Sequence, residues 1–560
     1  MMKKETVKKI ETITAILLIL AVLSVCVYRL RFGIDVQDTS FYLTLYRYFF
    51  ERGTGGNSLY YLLGEFFGSL IYQVAPTLYA MNVAGLMVYC LIGILIYRML
   101  RPYLTTLSLT LAVTGGIAFG ASWVRCINWN AWSMLFLTIG ILFLQNGFET
   151  NDKKWFYLAG LILGWNTFVR MPNILFLGLA AAVVYFYADK GFKAAFSGFG
   201  KMTTGGILAG MTGTSFGIAF LGSRKFVSDI ACLMGSVGDK ESEHYMLDMF
   251  ARVGAGAADG IRQWIKYGVI IGAMIVICTL IRKRVKKDVQ MIGCAAAVIL
   301  AAVIGITRDV TYSSVPGLLS VQNFVAYGGM AFGVFGAVRF YKSDKRFAVL
   351  CLMEALTMIF MTIGTDTGSI YFRIFMALPA GIIAAVLGKL PWKELRIMAV
   401  FVLVLTFTTG MNCNLNYVYH DGENGEAISS TIDSPVFEGV YTTASRADYV
   451  NRLIELLAPY EEKELLTIGA FNIGHNVTDM KTFYNCAWTD LDYLEMDEFE
   501  GVLEEKLEAG NAPVIVIGTT RINGEYWAPH KVEILEALVH TERYECIYGD
   551  EWYSVYVPVI

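Results

Sequence analysis

Long apolar runs separated by short polar loops fill the first 411 residues of the chain and then stop. A helix rises 1.5 Å per residue, so a crossing of the roughly 30 Å hydrocarbon core takes about 20 predominantly apolar residues. Runs of that order lie near 11–28, 78–97, 104–122, 129–145, 155–169, 172–188, 203–222, 263–281, 289–306, 323–340, 347–363, 373–388 and 397–411, which predicts about 13 transmembrane helices. A further stretch at 57–75, NSLYYLLGEFFGSLIYQVA, has the length but carries Glu65. Beyond 411 the pattern shortens. Helical spacing recurs near 444–458, 497–509 and 529–540, and strand-like runs appear at ELLTIGA, PVIVIG, YECIYG and EWYSVYV. The expected fold is a polytopic α-helical membrane domain over 1–411 followed by an α/β domain over 412–560.

Charge sets the expected orientation. The first apolar run follows MMKKETVKKI and ends in VYRLRF without a small-residue cleavage pattern, so it reads as a retained span with the N-terminus cytoplasmic. If 57–75 does not cross, the loops RMLRP, NDKKW, DKGFKAAFSGFGK, RKRVKK, RFYKSDKR and KLPWKELR join the N-terminus on the cytoplasmic side. Those segments then hold 23 Lys and Arg against 14 in the longer external loops. If 57–75 did cross, every one of those basic loops would face outward. The stretch is therefore expected to be an interfacial helix in the first external loop. An odd number of spans places 412–560 outside the cytoplasm, and its 27 acidic and 8 basic residues suit that face.

Composition agrees with a multi-pass protein of the cell membrane: 56% of residues are hydrophobic and 17% charged. The bilayer is its expected surrounding, with no nucleic-acid partner. The ten cysteines include no CxxC pair, although Cys486 and Cys546 could pair outside the cell.

Charges at a bilayer interface are costly unless solvated, paired or used, and here they gather on the expected external face. The first external loop, GIDVQDTSFYL, brings Asp35 and Asp38, with Arg47, Glu51 and Arg52 following. Later turns bring Arg125, Arg170, Arg308, Asp309, Asp366 and Arg373, and the expected loop at 223–262 adds Lys225, Asp229, His244 and Asp248. Each has a structural alternative. Asp38 would cap a helix whose Phe41, Leu45 and Phe49 share one face, and a terminal Arg can snorkel to the headgroups. Metal ligation has little support, because the five histidines are dispersed and no HExxH occurs. Asp35 and Asp38 could share a divalent ion with Glu51 or Asp366 only if the fold joined them. No Ser/His/Asp arrangement can be read in the chain, and 412–560 holds no phosphate-binding GxGxxG or GxxxxGK[ST].

The order of these features resembles the GT-C class of membrane glycosyltransferases, which includes the protein O-mannosyltransferases and the bacterial lipid A aminoarabinose transferase. The resemblance rests on a first span leading to GIDVQDTSFYL, then the interfacial SLYYLLGEFFGSLIYQ and LYAMNVAGLMVYCLIGILIYRMLR. It extends to WFYLAGLILGWNTFVRMPNILFLGL, a Gly-rich span ending in Arg, one residue and Pro, to GSIYFRIFMALPAGIIAAVL, and to the closing α/β domain. The family's commoner Asp-Glu pair is replaced here by Asp38-Thr39, and the spacing to Phe41 and Tyr42 favours Asp38 over Asp35 for the catalytic position. What the resemblance implies is transfer of a sugar from a polyprenyl-phosphate donor to a glycan, lipid or protein acceptor, with inversion. Asp38, supported or replaced by Asp35, would act on the acceptor. Arg170 and Arg373, with Arg125, would hold the phosphate, and Tyr42 and Tyr46 would line the sugar site. Members occur with and without a divalent ion, so that cofactor stays open.

Two other classes compete. A polysaccharide polymerase or ligase would centre on a large external loop such as 223–262. A lipid-linked glycan flippase would bury charges near the midplane, where Glu354 stands as an exception in otherwise clean spans. A topology reporter fused after Ile560 should report the extracytoplasmic side, and one placed among Arg282, Lys283 and Arg284 the cytoplasmic side; the reverse pattern would overturn the orientation.

Overall fold

The computed structural model describes residues 4–51, 58–238, 246–285, 289–307, 315–363, 373–422, 425–483, 486, 488–491, 496–520 and 525–559. The chain is mostly helical and forms two compact units. One comprises Met1–Arg29, Gly85–Arg125 and Trp129–Val418, the other Leu30–Ala84, Cys126–Asn128 and Tyr419–Ile560. Contacts thus group the aspartate-bearing first loop with the C-terminal region, whereas hydropathy divides the chain at 411.

Among the described residues, eight helices are long and apolar enough to cross a membrane, which makes this a multi-pass membrane protein. An expectation of about 13 spans requires shorter helices such as Thr106–Ala121, Lys154–Val169 and Ala377–Lys389 to cross as well. Leu62–Val74, from the ambiguous Glu65 stretch, has 13 residues, fewer than the about 20 a perpendicular crossing takes.

In the first unit, small residues let helices approach closely. Phe192–Leu221 turns Gly198, Gly205, Ala209, Gly213 and Gly217 inward at one step of seven and then steps of four, which keeps them on one helix face. A β-carbon at Gly205 would lie 2.1 Å from the carbonyl oxygen of Tyr157 on Lys154–Val169, so backbone meets backbone there. Lys154–Val169 ends at Arg170, whose φ of −159° is extended. Pro172 follows at the start of the 3-10 helix Met171–Leu179, where its missing N–H leaves no bond unmade.

The region expected to be a loop at 223–262 is instead helical on both sides of 239–245, as Ser223–Gly238 and Met246–Val285. The latter runs 40 residues without proline and joins the expected span 263–281 to an N-terminal part whose Ala and Gly positions carry too little apolar periodicity to be read as helix. Glu354, buried in Lys345–Thr362, lies against Gly329 and Gly333. A β-carbon at either would come within 2.5 Å of its carboxyl oxygens.

The second unit's C-terminal part follows the expected α/β alternation. Strands β1 (Ile428–Ser430) and β2 (Thr442–Thr443) form a small antiparallel pair. A five-stranded sheet is built from β3 (Glu464–Ile468), β4 (Lys481–Thr482), β5 (Val514–Gly518), β6 (Tyr544–Gly549) and β7 (Tyr553–Pro558), in the order β4-β3-β5-β7-β6. The β4-β3-β5 pairings are parallel and the β5-β7-β6 pairings antiparallel. Helices Met496–Glu508 and Pro529–Val539 cover a core that includes Leu466, Ile468, Ile515, Phe499 and Leu535. Gly469, at φ 81°, ends β3 where a β-carbon would lie 2.3 Å from the Gly518 carbonyl oxygen, so only glycine fits between the two strand ends. Cys486 is buried, Cys546 is exposed, and both are free thiols.

His475 lies beneath this sheet, its Nε2 3.1 Å from the Thr467 hydroxyl. Burial, reinforced by the Arg47 cation, holds its imidazole down at about 3. The folded value is below the ordinary one of about 6.5, so stability is whole above that pH and is lost as pH falls toward 3. Between those limits this one group should steepen the loss by about 1.4 kcal/mol per pH unit. Unfolding of His475→Gln should therefore show a shallower acid slope than wild type between about pH 6.5 and 4.5. Equal slopes would refute a neutral buried imidazole.

Candidate active site

The segment that carries the aspartates is fixed from both sides within the second unit. Its backbone joins Tyr441 through Gly33 N to Tyr441 O at 2.8 Å and Tyr441 N to Arg31 O at 2.7 Å. The Asp421 carboxylate then accepts from Ile34 N at 2.9 Å, from the Thr442 hydroxyl at 2.7 Å and from Gly422 N at 2.9 Å. Arg446 pairs with Asp421 at 3.4 Å and donates to the carbonyls of Ile34, at 2.6 Å, and His420. With its side chain fully buried, Asp421 requires that many donors, because a buried carboxylate without partners is strongly disfavoured.

Beyond this anchor the chain enters the helix Asp38–Tyr48. The carboxylate that caps it is Asp35, not Asp38. Asp35 is buried and accepts from Gln37 N at 2.9 Å and Thr39 N at 2.8 Å, while its carbonyl accepts from the Ser40 hydroxyl at 2.8 Å. The structural role expected for Asp38 falls to Asp35, because the helix begins at Asp38 itself and its first N–H groups point back toward the preceding turn. Asp38 is half-buried, and its Oδ2 accepts a hydrogen bond from the Tyr419 hydroxyl. Burial, then the charges of Asp38 and Asp35, hold the Tyr419 phenol well above its ordinary range, so it remains a proton donor to Asp38.

The rest of the helix is used largely for attachment. Tyr42 is buried, its ring 6.1 Å from that of Phe41. Tyr46 is fully buried; its hydroxyl donates to Ile127 O at 2.8 Å and its ring covers Gly68, where a β-carbon would come within 2.3 Å. That is the environment of a packing residue. Arg47 donates to the carbonyls of His475, at 3.2 Å, and Thr478, at 2.8 Å, and pairs with Asp479. Asn476, part of an Asn-Val-Thr sequon, is buried and donates to Ser40 O at 2.8 Å, which removes it from reach of a glycosylating enzyme.

In the first unit, two of the expected arginines meet around aromatic residues. The Arg373 guanidinium lies 4.0 Å over the Trp123 ring, and its Nε donates to the Gln322 side chain at 3.0 Å. The same Trp123 stacks on Tyr417 at 6.1 Å with 8° between ring planes. Arg125 donates to the Tyr417 carbonyl at 3.2 Å, and Arg29 reaches that same oxygen at 3.3 Å. Burial, then the neighbouring Arg29, lowers Arg125 to about 9, which still leaves it charged at neutral pH. Arg29 was not expected here; its position as the first of the cations leaving the first span was the available signal. Arg170 lines a small cleft with Asn130, Asn173, Phe360 and Ile374, the residue after Arg373.

Arg52, His244, Arg308, Asp309 and Asp366 lie outside the described residues. Lys225 and Asp229 pair with one another at 3.1 Å. Among the described residues no three His, Cys, Asp or Glu side chains converge as a metal site would need. Removing the Asp421 carboxylate should leave Arg446 and Ile34 N without their buried partner. Asp421→Ala is expected to cost about 3 kcal/mol in chemical unfolding, against about 1 kcal/mol for Asp35→Ala as a lost cap. A cost at Asp421 no larger than at Asp35 would remove its place as the anchor.

No family model and no curated protein sequence matches the chain. Solved structures similar to it include the Archaeoglobus fulgidus oligosaccharyltransferase in complex with zinc and sulfate, at 11% identity and a TM-score of 0.45 over 90% of this chain and 68% of that one. They also include ArnT from Cupriavidus metallidurans in the apo state, at 10% identity and a TM-score of 0.40 over 97% of this chain and 98% of that one. ArnT bound to undecaprenyl phosphate gives 10% identity and a TM-score of 0.41, with 97% of each chain covered.

Proposed function

We propose that this chain is a membrane glycosyltransferase that moves a sugar from a polyprenyl-phosphate donor to an extracytoplasmic glycan, lipid or protein acceptor. The observation that carries the reading is the different environment of two neighbouring carboxylates. Asp35 is buried and engaged by backbone amides, whereas Asp38 is half-buried and held by a phenol. A base must be reachable by the hydroxyl it serves, which favours Asp38 over Asp35.

In the reaction, the acceptor oxygen attacks the anomeric carbon from the face opposite the phosphate. The new glycosidic bond forms as the bond to phosphate oxygen breaks, and the hydroxyl proton passes to the Asp38 carboxylate. Polyprenyl phosphate leaves as an anion, so it needs cations more than it needs a proton. Arg373 and Arg125, joined by Arg29, supply that charge in the first unit, and Arg170 contributes from its own cleft. The Arg373 guanidinium is held over Trp123, and a guanidinium's planar fork matches the geometry of a phosphate. The protein crosses the membrane with its N-terminus cytoplasmic and its C-terminal region outside. A polymerase or ligase is less well supported, since the 223–262 stretch that favoured it is largely helical.

Transfer from a polyprenyl-phosphate sugar in membranes tests the assignment. Asp38→Asn should lower turnover by about 10²-fold or more. Asp35→Asn should retain near wild-type turnover per folded molecule, and Arg373→Lys should mainly raise the donor KM. Wild-type turnover in Asp38→Asn would sink the proposal.

A further inference from the structure

We infer that Tyr419 is a positioning residue for Asp38, and that the tripeptide Tyr419-His420-Asp421 is the means by which the C-terminal region sets the geometry of the base. This rests on the reading of Asp38 as the base and gives the C-terminal region a role in it beyond packing.

Each residue of the tripeptide holds a different part of the aspartate loop. Tyr419 donates its hydroxyl proton to Asp38 Oδ2. His420 presents its carbonyl to Arg446 from a left-handed backbone conformation, φ 47°, which a residue of this size adopts only when its surroundings enforce it. Asp421 accepts from Ile34 N, four residues before Asp38, and Arg446 returns a bond to Ile34 O. The loop and the tripeptide are thus joined at both ends. Asp38 Oδ2 meets Tyr419 at one, and the Ile34 amide and carbonyl meet Asp421 and Arg446 at the other.

A carboxylate on a helix's first turn can rotate about two side-chain torsions, and an acceptor hydroxyl needs it in one orientation. The Tyr419 bond fixes that orientation. It also favours the ionised form of Asp38, since a donor to a carboxylate stabilises its charge. The charged and titratable groups around the pair are Asp35 and Tyr42 from the aspartate segment, His420 beside the Tyr419 ring at 4.2 Å, and Asp421 with Arg446. Of these, His420 is the residue type whose charge changes most readily near neutral pH, so it requires its own control.

The experiment uses the full chain in membranes with a polyprenyl-phosphate sugar, comparing wild type, Tyr419→Phe and His420→Gln. Tyr419→Phe keeps the ring and removes only the donor. Expected is a fall in kcat of about 10-fold with donor KM within about twofold, and an acid limb of the pH–rate profile displaced upward by about one unit. A purely structural role would reduce the active fraction without moving that limb. His420→Gln should leave the limb in place. An unmoved limb in Tyr419→Phe, or the same displacement in His420→Gln, overturns the inference. The bond itself is read without activity by unfolding Asp38→Asn, Tyr419→Phe and the double variant. Non-additive effects sustain the pairing even if wild type transfers no sugar, in which case the glycosyltransferase reading fails alone; additive effects overturn the pairing.

Discussion

The buried ion pair between Asp421 and Arg446 is the constraint on which the second unit depends. Taking both charges out of water is costly, and the cost is met here because each also bonds backbone: Asp421 the Ile34 amide, Arg446 the Ile34 and His420 carbonyls. A hydrophobic pair of the same size could fill the space but could not read out a backbone register. The result is a fixed junction between segments 387 residues apart in the chain. From it the helix Asp38–Tyr48 takes its starting direction, and Arg47 and Asn476 then hold the helix against the turn Gly474–Val477.

That junction separates two carboxylates that look alike in sequence. Asp35 falls where the incoming helix offers unsatisfied N–H groups, and capping consumes it. Asp38 falls one turn later, on the helix itself, where its side chain accepts from the Tyr419 phenol. Three residues of spacing are enough to give one acid the capping of the helix and the other a bond to a phenol. The capping expected of Asp38 falls to Asp35.

The first unit handles charge differently. Arg373 is wholly buried, and its guanidinium rests on Trp123 and Gln322, so aromatic and amide groups supply much of the environment that water would. Arg29 and Arg125 share the Tyr417 carbonyl. Two cations on one oxygen repel, and burial together with the neighbouring Arg29 lowers Arg125 to about 9.

Much of the architecture was legible in the chain itself. Burial in a bilayer or against a sheet imposes strict apolar periods, so the long helices and the strands β3, β5, β6 and β7 stood where hydropathy placed them. The helices Ser223–Gly238 and the first part of Met246–Val285 were not legible because their small residues carry little apolar signal, their packing being visible only once a neighbour is present. The candidate acids and arginines were legible by type and by their place at span ends. Their individual roles were not, because a role depends on partners far away in sequence: Tyr419 for Asp38, Ile127 for Tyr46, Trp123 for Arg373. Local sequence determined that Asp35 and Asp38 would lie together at the start of a helix after the first span. Only tertiary structure decided which of them is satisfied by backbone and which is held by a side chain, since a hydrogen bond is settled by which donor comes within 3 Å, and that is fixed by the fold.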